Sequence, residues 1–434
     1  MKQRIAVIAG YRSAMGKAGG VLQNLSAQHL GSCLAKEVIA KSNLPSSLID
    51  EVIIGNVSQP AEAANIAKII ASQAGIPQHV PAFTVHRNCA SGLEAFTSAI
   101  YRLKNHDANL ILAGGVESMS NIPLLYNKKF TNFFADLAKS KTAFDKFKTL
   151  LKFKPAFLQP IIGLMQGLTD PLSGLIMGCT AENIARDFAI NRNEQDEFAL
   201  QSHQKAQKAI ENNIFSQEII AIFNLNEQNP QLINQDEGVR FNQKLADLAK
   251  LKPYFEKNTG TVTVGNSSQI TDGACFALLA LEEQAKEFAK QYDCEILGYI
   301  TDFAYAGLDP SKMGLGPVFS TKKLFDKTGL SLKDFDLIEI NEAFSAQVLG
   351  CLKAFASANF CQEQLNLNSA LGEIDPAILN VNGGAIALGH PVGMSGARIV
   401  VHLLRELKRR GKNRGLASLC VGGGQGGSCV VEVD

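Results

Sequence analysis

The sequence predicts an α/β protein built from two similar halves, with an inserted, mostly helical segment. Three observations lead to this prediction. Short apolar strands that run into glycines recur near both ends of the chain, as in ANLILAGGVE and GLASLCVGGG. Helical patterns, with apolar residues three and four positions apart, accompany these strands. From Asn121 to about Leu251 the rhythm of strands and glycines gives way to a stretch rich in Lys, Phe, Asn and Gln.

The composition narrows the class of protein. The 434 residues carry 42 Lys and Arg against 41 Asp and Glu, a net charge of +1 that gives no sign of nucleic-acid binding. The first apolar run, residues 4–9, is too short for a signal peptide or a membrane span, so we expect a cytoplasmic protein. Nine cysteines without tight pairing or CxxC spacing argue against a disulfide framework and against a zinc site.

The first half is predicted to alternate strands and helices. Strands are expected at residues 4–9, 48–54 and 108–115, and helices at residues 26–39, 61–75 and 91–103. Within the insertion, a long helix is expected to begin after an Asn193 cap. Residues 260–281 are expected to form a strand, then a polar turn, and then either a helix or a strand of small residues.

The last third of the chain repeats the first in the same order. Residues 336–344 resemble residues 49–56, residues 377–407 resemble residues 83–103, which contain Cys89, and residues 415–424 resemble residues 108–117. These matches predict two halves, each with its own sheet, whose equivalent loops face one cleft. The expected domains are an N-terminal half (1–120 and 252–284), an inserted loop domain (121–251) and a C-terminal half (285–434).

Cys89 is the candidate nucleophile. It lies in the motif NCASG, directly before a helix whose apolar residues recur from Leu93 to Leu103. A thiol at the start of a helix faces unpaired backbone N–H groups and the positive end of the helix dipole, which favour the thiolate. The small residues from Ala90 to Gly92 are expected to leave space for a substrate beside the sulfur. The competing interpretation is a small core cysteine.

Three further motifs are expected at the same cleft. His390 lies in GHPVGMSG, where a neutral imidazole would take the Cys89 proton and the resulting imidazolium would hold the thiolate; a structural histidine is the alternative. Cys420 ends an apolar strand in CVGGGQGG, and its alternative is a buried strand cysteine. Asn341 ends another apolar strand in NEAF, where a helix cap is the alternative.

Five motifs together resemble the thiolase family. They are NCASG, GTVTVGNSS followed by TDGA, NEAF, GHPVGMSGAR and CVGGGQGG, and in this order they cover nearly the whole chain. The resemblance implies duplicated αβαβα layers. It also implies an acyltransferase that reversibly cleaves 3-ketoacyl-CoA to acetyl-CoA and a shortened acyl-CoA in fatty-acid β-oxidation. Its substrates would be acyl-CoA, acetyl-CoA and CoA, with no cofactor and no metal.

The resemblance implies catalytic roles for five residues. Cys89 would form the acyl-enzyme and His390 would activate it. Cys420 would act as acid or base on the acetyl-CoA carbon. Asn341 would hold a water that makes one oxyanion hole with His390, and the backbone N–H groups of Cys89 and Gly422 would make the other.

Other positions are implied to contact the substrate. Ser268 would line the pantetheine tunnel, and Met313 and Phe344 would line the acyl pocket. Ile176 stands before Met177 and Gly178, where the short-chain biosynthetic thiolases carry a histidine. An apolar side chain in that place favours longer or different acyl groups.

The segment 130–168 is longer than in those short-chain enzymes and resembles, in placement, the extension of trifunctional-complex β subunits. One helical face is predicted to carry Phe144, Phe147, Leu150 and Leu151, with lysines around it. Three interpretations of this face remain: peripheral contact with an anionic membrane, contact with a hydratase/dehydrogenase subunit, and packing on its own domain. The resemblance further implies a homodimer or homotetramer.

Three alternative functions remain. A biosynthetic, acetoacetyl-CoA-forming thiolase belongs to the same family. A ketoacyl-synthase-like condensing enzyme would resemble a Cys-His-His or Cys-His-Glu set, and the presence of Asn341 and Cys420 argues against it. A non-catalytic acyl-CoA carrier would be expected to lose the reacting side chains, which are all present.

Overall fold

The structure is a computed structural model that describes residues 3–224 and 230–434. Its main strands are apolar and rich in β-branched residues, as expected for strands buried on both faces. The strands of the described residues are β1 (Ile5–Ser13), β2 (Gly16–Lys17), β3 (Glu51–Gly55), β4 (Ala82–Val85), β5 (Ile111–Ser118), β6 (Leu124–Tyr126), β7 (Pro160–Ile162), β8 (Ile219–Ile220), β9 (Ile222–Asn224), β10 (Gln231–Ile233), β11 (Thr271–Leu281), β12 (Ile296–Gly307), β13 (Leu337–Ile340), β14 (Arg414–Val421) and β15 (Gln425–Glu432).

The helices begin at recognisable caps where the sequence supplies them. Ser26 accepts a hydrogen bond from the His29 N–H group at the start of the first helix. The helices of the described residues are α1 (Ala27–Lys41), α2 (Ile66–Gln73), α3 (Ser91–Lys104), α4 (Lys128–Lys139), α5 (Ala143–Leu150), α6 (Gly163–Gly167), α7 (Met177–Asp187), α8 (Arg192–Glu211), α9 (Leu245–Ala249), α10 (Glu282–Tyr292), α11 (Gly316–Thr328), α12 (Ser345–Ala356), α13 (Ala358–Leu365), α14 (Ala385–Leu388) and α15 (Val392–Arg410).

The strands of both halves form one hydrogen-bonded sheet, in the order β13-β14-β15-β12-β1-β11-β5-β3-β4. The expectation of a separate sheet in each half is therefore corrected. The junction is β1, which pairs antiparallel with β11 along one edge and with β12 along the other. Because both edges of β1 have partners, its backbone groups are satisfied in the buried interior.

The sheet and the helices form the duplicated αβαβα layers that the sequence predicts. Alternate residues of β1 face opposite sides: Ile5 and Val7 belong to the central core, whereas Ala6 and Ile8 belong to the N-terminal outer core. The central core contains α3 and α15, the N-terminal outer core contains α1 and α2, and the C-terminal outer core contains α11 and α12.

Some predicted elements differ from the structure for local reasons. Residues 377–381 form isolated bridges rather than a strand, because the Asn380 side chain bonds both the N–H and the C=O of Ile340 at 2.9 Å. Residues 261 and 262 form no strand, since their N–H groups donate to the Glu182 carboxylate. The long helix α8 is capped by Asn191, in a capping box with Glu194, and not by the predicted Asn193.

Residues 128–154, which overlap the first part of the predicted segment 130–168 and are called the basic extension below, fold onto a small aromatic core. Phe130 and Phe133 are buried and their rings contact each other. The Phe133 ring also contacts the rings of Phe153 and Phe157. The predicted apolar face of α5 is instead exposed to solvent, with Phe144 75% and Leu151 70% accessible. The extension carries eight lysines and two aspartates. Within the described part of the chain, no helix has the length and apolar character to cross a bilayer.

Candidate active site

Cys89 lies in a tight turn between β4 and α3. Asn88 has a left-handed backbone conformation, with φ of +44°, which Asn tolerates better than most residues. The Ser91 hydroxyl donates to the Asn88 carbonyl at 2.7 Å and accepts from the Arg87 N–H group at 2.9 Å. These bonds hold the sulfur at the strand-to-helix corner.

The small residues after Cys89 serve helix packing. Ala90 and Ser91 are fully buried, and a Cβ at Gly92 would lie 2.8 Å from the Ala397 backbone nitrogen of α15. Larger side chains would therefore separate α3 from α15. The sequence-based expectation that these residues leave space for a substrate is corrected; the open space lies on the other side of Cys89.

Cys89 is a thiol in the resting protein. Burial raises the pKa of Cys89, the backbone N–H groups of Gly422 and of Cys89 itself oppose this shift, and the nearby charge of Glu117 adds to it. The helix start that the sequence predicts is present, but burial outweighs its preference for the thiolate. Nucleophilic attack from this position therefore requires a neighbouring base.

His390 has the geometry of a neutral base. Its Nδ1 lies 2.6 Å from the Ser395 hydroxyl, and that hydroxyl donates to the Pro391 carbonyl at 3.0 Å. Since the hydroxyl hydrogen is already used, Nδ1 carries the imidazole hydrogen and Nε2 keeps a free lone pair. Nε2 is buried without a hydrogen-bond partner among the described residues. Burial, followed by the charge of Arg398, lowers the pKa of His390 to about 4.

Asn341 does not cap a helix. It follows β13, and its backbone N–H donates to the Ser418 carbonyl at 2.9 Å, while α12 begins later, at Ser345. Both polar atoms of its side chain are buried and have no partner within the described residues. A buried amide with two unmatched groups is costly, which points to a role in binding a polar atom.

Cys420 and Gly422 come from the opposite half of the chain to Cys89. Burial, followed by the neighbouring Cys89, raises the pKa of Cys420 well above its usual value. The Gly422 N–H group lowers the pKa of Cys89, and the Gly422 carbonyl accepts from the Asn88 side-chain amide at 2.7 Å. The end of β14 and the turn after it therefore bring a second thiol and an amide donor near the candidate nucleophile.

Two adjoining cavities open beside these residues. The first, of about 350 Å³, contains Cys89 and Gly422, and the second, of about 480 Å³, contains His390 and Ser268. The two cavities share four lining residues, which are Met119, Leu168, Met177 and Val392. The other apolar walls of the first cavity are Val57, Ile122, Leu164, Pro171 and Leu172.

The other residues predicted to contact the substrate lie either at the second cavity or in the core. Phe344 and Ile176 line the second cavity, with His390. Met313 is 3% exposed, packs in the C-terminal outer core and lines neither cavity. The expectation that Met313 borders the acyl pocket is corrected, because its side chain is buried in that core.

Two buried carboxylates beside the site were missed in the sequence. Glu342 accepts from the Ser202 hydroxyl at 2.6 Å and from the Asn380 amide at 2.9 Å, which fixes the loop that leads towards His390. Glu117 accepts from backbone groups on two other loops. A charged residue directly after an apolar strand, as in LILAGGVE, was the pattern that could have revealed Glu117.

Duplicated layers that place a cysteine, with a second thiol near it, and a neutral histidine at adjoining cavities are typical of a cysteine-dependent acyltransferase. Family comparison gives the specific assignment: residues 5–283 match the thiolase N-terminal domain, and residues 294–433 match the thiolase C-terminal domain. The chain belongs to the thiolase family.

Individual relatives match over nearly their whole length. A 3-ketoacyl-CoA thiolase of Klebsiella pneumoniae (strain 342) is 36% identical over 432 residues, covering 99% of this chain and 97% of that protein. A probable acetyl-CoA acyltransferase of Staphylococcus aureus (strain COL) is 38% identical, with 99% of each chain covered. The crystal structure of human mitochondrial 3-ketoacyl-CoA thiolase in complex with CoA has a TM-score of 0.83 and 34% identity, covering 100% of this chain and 98% of that one.

Proposed function

We propose that this protein is a 3-ketoacyl-CoA thiolase of fatty-acid β-oxidation. It cleaves a 3-ketoacyl-CoA with CoA to acetyl-CoA and a shortened acyl-CoA, and the reaction is reversible. The observation that carries the proposal is the meeting of Cys89 with Gly422 and Cys420 beside a cavity that adjoins the cavity of His390. The names of the relatives support the same reaction.

The first half-reaction forms an acyl-enzyme. The Nε2 lone pair of His390 takes the Cys89 proton while the sulfur attacks the 3-keto carbon. The bond between the 2- and 3-carbons then breaks, and its electron pair goes to the departing acetyl-CoA carbon. Cys420 gives that carbon a proton, so acetyl-CoA leaves and the shortened acyl group stays on Cys89 as a thioester.

The second half-reaction restores the resting protonation states of Cys89, His390 and Cys420. The Cys420 thiolate takes the proton of the incoming CoA thiol, and the CoA sulfur attacks the acyl carbon. The thioester bond to Cys89 breaks, and the Cys89 thiolate recovers its proton from His390. The shortened acyl-CoA leaves an unchanged enzyme.

Two oxyanion holes stabilise the charges that develop. The N–H groups of Cys89 and Gly422 bind the oxygen of the tetrahedral acyl intermediate, since both favour negative charge beside Cys89. Once His390 carries the Cys89 proton, its Nε2–H becomes a donor to the enolate oxygen of acetyl-CoA. A water held by the unmatched amide of Asn341 completes this second hole.

The cavities favour a defined placement of the substrate. Ser268, Lys17 and Arg240 line the second cavity, where cations suit the phosphates of CoA and Ser268 suits the pantetheine arm. The first cavity, with its apolar walls, takes the acyl chain. The volume and apolar walls of this first cavity favour acyl groups longer than acetyl, and therefore degradation over acetoacetyl-CoA synthesis. Ile176 and Phe344, which were expected at the acyl end, line the second cavity instead.

Thiolysis rates across 3-ketoacyl-CoA chain lengths, followed by loss of the substrate absorbance, test the proposal. We expect turnover that increases from C4 to medium chains and is abolished in Cys89→Ala. Cys33→Ala, a change at another partly exposed cysteine, is the matched control and should behave as wild type. Activity that survives Cys89→Ala would reject Cys89 as the nucleophile.

We also propose that the basic extension binds an anionic membrane peripherally. Phe144, Phe147, Leu150 and Leu151 are each more than half exposed, and the lysines around them match anionic headgroups in charge. Co-sedimentation with phosphatidylglycerol vesicles should fall in the double variant Phe144→Ala/Phe147→Ala. Phe223→Ala, a similarly exposed phenylalanine elsewhere, should pellet as wild type. Equal pelleting of all three proteins would remove the membrane contact and favour a hydratase/dehydrogenase subunit or a second copy in a homodimer or homotetramer.

A further inference from the structure

Glu117 is a buried carboxylate that the proposed chemistry does not use. It follows the apolar part of β5, is 0% exposed and lines neither cavity. Within residues 3–224 and 230–434, no ion pair reaches it. A buried charge without a cation is costly unless hydrogen bonds compensate it.

Four donors compensate the Glu117 charge, and they belong to two loops. The first loop is residues 56–58, and the second is residues 390–393, which run into the first turn of α15. From the N-terminal half, the N–H groups of Val57 and Ser58 donate at 3.0 Å and 2.9 Å, and the Asn56 amide donates at 3.3 Å. From the C-terminal half, the Gly393 N–H group donates at 2.9 Å from the first turn of α15. An anion in this position also interacts favourably with the positive end of the α15 dipole.

These two loops form part of the wall around Cys89. Val57 and Ser58 line the Cys89 cavity, and Val392, next to Gly393, lines both cavities. His390 lies two residues before Val392. The contact is tight, since a Cβ at Gly393 would lie 2.7 Å from the Glu117 carboxylate. Glu117 therefore connects the half that carries Cys89 to the loop that carries His390.

We infer that Glu117, as a carboxylate, is a positioning residue that aligns the Cys89 and His390 loops for catalysis. The inference rests on the proposed thiolase function. All four groups that contact Glu117 are donors, so a neutral carboxyl group would place its own hydrogen against them and lose part of the connection. Alignment therefore depends on the ionisation of Glu117.

The environment places this ionisation in the physiological range. Burial raises the pKa of Glu117 to about 7, the Ser58, Val57 and Gly393 N–H groups oppose the shift, and the charge of Asp272 on β11 adds to it. Glu117 also faces Cys89, whose pKa its charge raises; loop 56–58 and residues 391–394 carry no titratable side chain. The turnover number should thus fall as the pH drops through about 7, well above the range in which His390 gains a proton.

Glu117→Gln tests the inference, with Asp50→Asn as the matched control. Asp50 accepts from two backbone N–H groups before β5, far from the cavities. In Glu117→Gln we expect the turnover number for 3-ketoacyl-CoA to fall about 100-fold, the effect of a misalignment near 1 Å. KM should change little, and the acid limb near pH 7 should disappear. Asp50→Asn should keep the wild-type profile.

Iodoacetamide labelling of Cys89 supplies a readout that needs no substrate. Removing the negative charge of Glu117 by itself favours the Cys89 thiolate, but attack by Cys89 requires the neighbouring base, so misalignment of His390 should slow labelling of Glu117→Gln relative to wild type. Labelling of Glu117→Gln at the wild-type rate would show that the two loops remain aligned and would overturn the inference. So would a wild-type turnover number with an unchanged acid limb. Absence of thiolysis in the wild-type protein would count against the proposed function. The labelling rates of Cys89 can be compared without any thiolase activity, so they test the inference separately.

Glu117→Asp keeps the test decisive if the glutamine variant does not fold. The shorter carboxylate retains the charge and withdraws from the two loops. We expect about a tenfold lower turnover number with the acid limb retained. If Glu117→Asp were fully active, the distance between the carboxylate and the two loops would have no effect on turnover. That result would overturn the positioning role.

Discussion

The side-chain amide of Asn88 donates a hydrogen bond to the Gly422 carbonyl at 2.7 Å, although the two residues belong to opposite halves of the chain. This contact holds the turn that carries Gly422 next to Cys89, where the Gly422 N–H group lowers the pKa of the thiol. The two halves therefore build one candidate reaction centre.

Ser395→Ala should reduce turnover without unfolding the protein. The hydroxyl sets which nitrogen of His390 carries the hydrogen, and its loss allows the tautomer in which Nε2 cannot accept a proton. One hydrogen bond of about 1.4 kcal/mol corresponds to a tenfold lower turnover number, measured by thiolysis. Ser32→Ala is the matched control, because Ser32 also donates to the carbonyl four residues earlier in its helix. Equal rates for the two variants would contradict the tautomer assignment.

Cys420→Ala should separate the two cysteines by function. Loss of the acid or base at the acetyl-CoA carbon is expected to lower thiolysis by about 10²- to 10⁴-fold. Exchange of the acetyl-CoA methyl hydrogens with deuterated water should disappear, while Cys89 remains reactive with iodoacetamide. Cys429→Ala, at another buried strand cysteine, should retain exchange. Deuterium incorporation by Cys420→Ala at the wild-type rate would assign proton transfer to another group.

The stability of the fold should decrease between pH 6.5 and pH 4, with His390 as one cause. Burial lowers the pKa of His390 to about 4 in the folded chain, whereas an unfolded histidine has a pKa of about 6.5. The unfolded state therefore takes up this proton first as the pH falls, so the stabilisation is complete above pH 6.5 and is lost as the pH falls through 4. Urea unfolding at pH 7 and pH 4.5 should show a loss that is smaller in His390→Gln by about 2 to 3 kcal/mol. Identical losses in both proteins would refute this account.

Leu164→Phe and Met313→Ala should have opposite consequences. Leu164 lines the Cys89 cavity, so the larger ring should shift the preferred 3-ketoacyl-CoA towards shorter chains. Met313 packs in the C-terminal outer core, so its truncation should lower the free energy of unfolding by about 2 to 5 kcal/mol and leave the chain-length preference unchanged. Rates across chain lengths and urea unfolding measure both effects. A changed preference in Met313→Ala would restore its predicted place at the acyl pocket.

The sequence by itself determined the layered fold class, the family and the motifs that carry Cys89, His390 and Cys420. Local patterns suffice for these, because strand and helix periodicity and the glycine-rich turns depend on neighbours along the chain. Tertiary structure alone decided three other properties: the single sheet joined through β1, the neutral tautomer of His390 and the contacts of Glu117 with two loops. Each depends on burial and on hydrogen bonds between distant segments, since removal from water shifts a pKa and unpaired donors need acceptors wherever the fold brings them together.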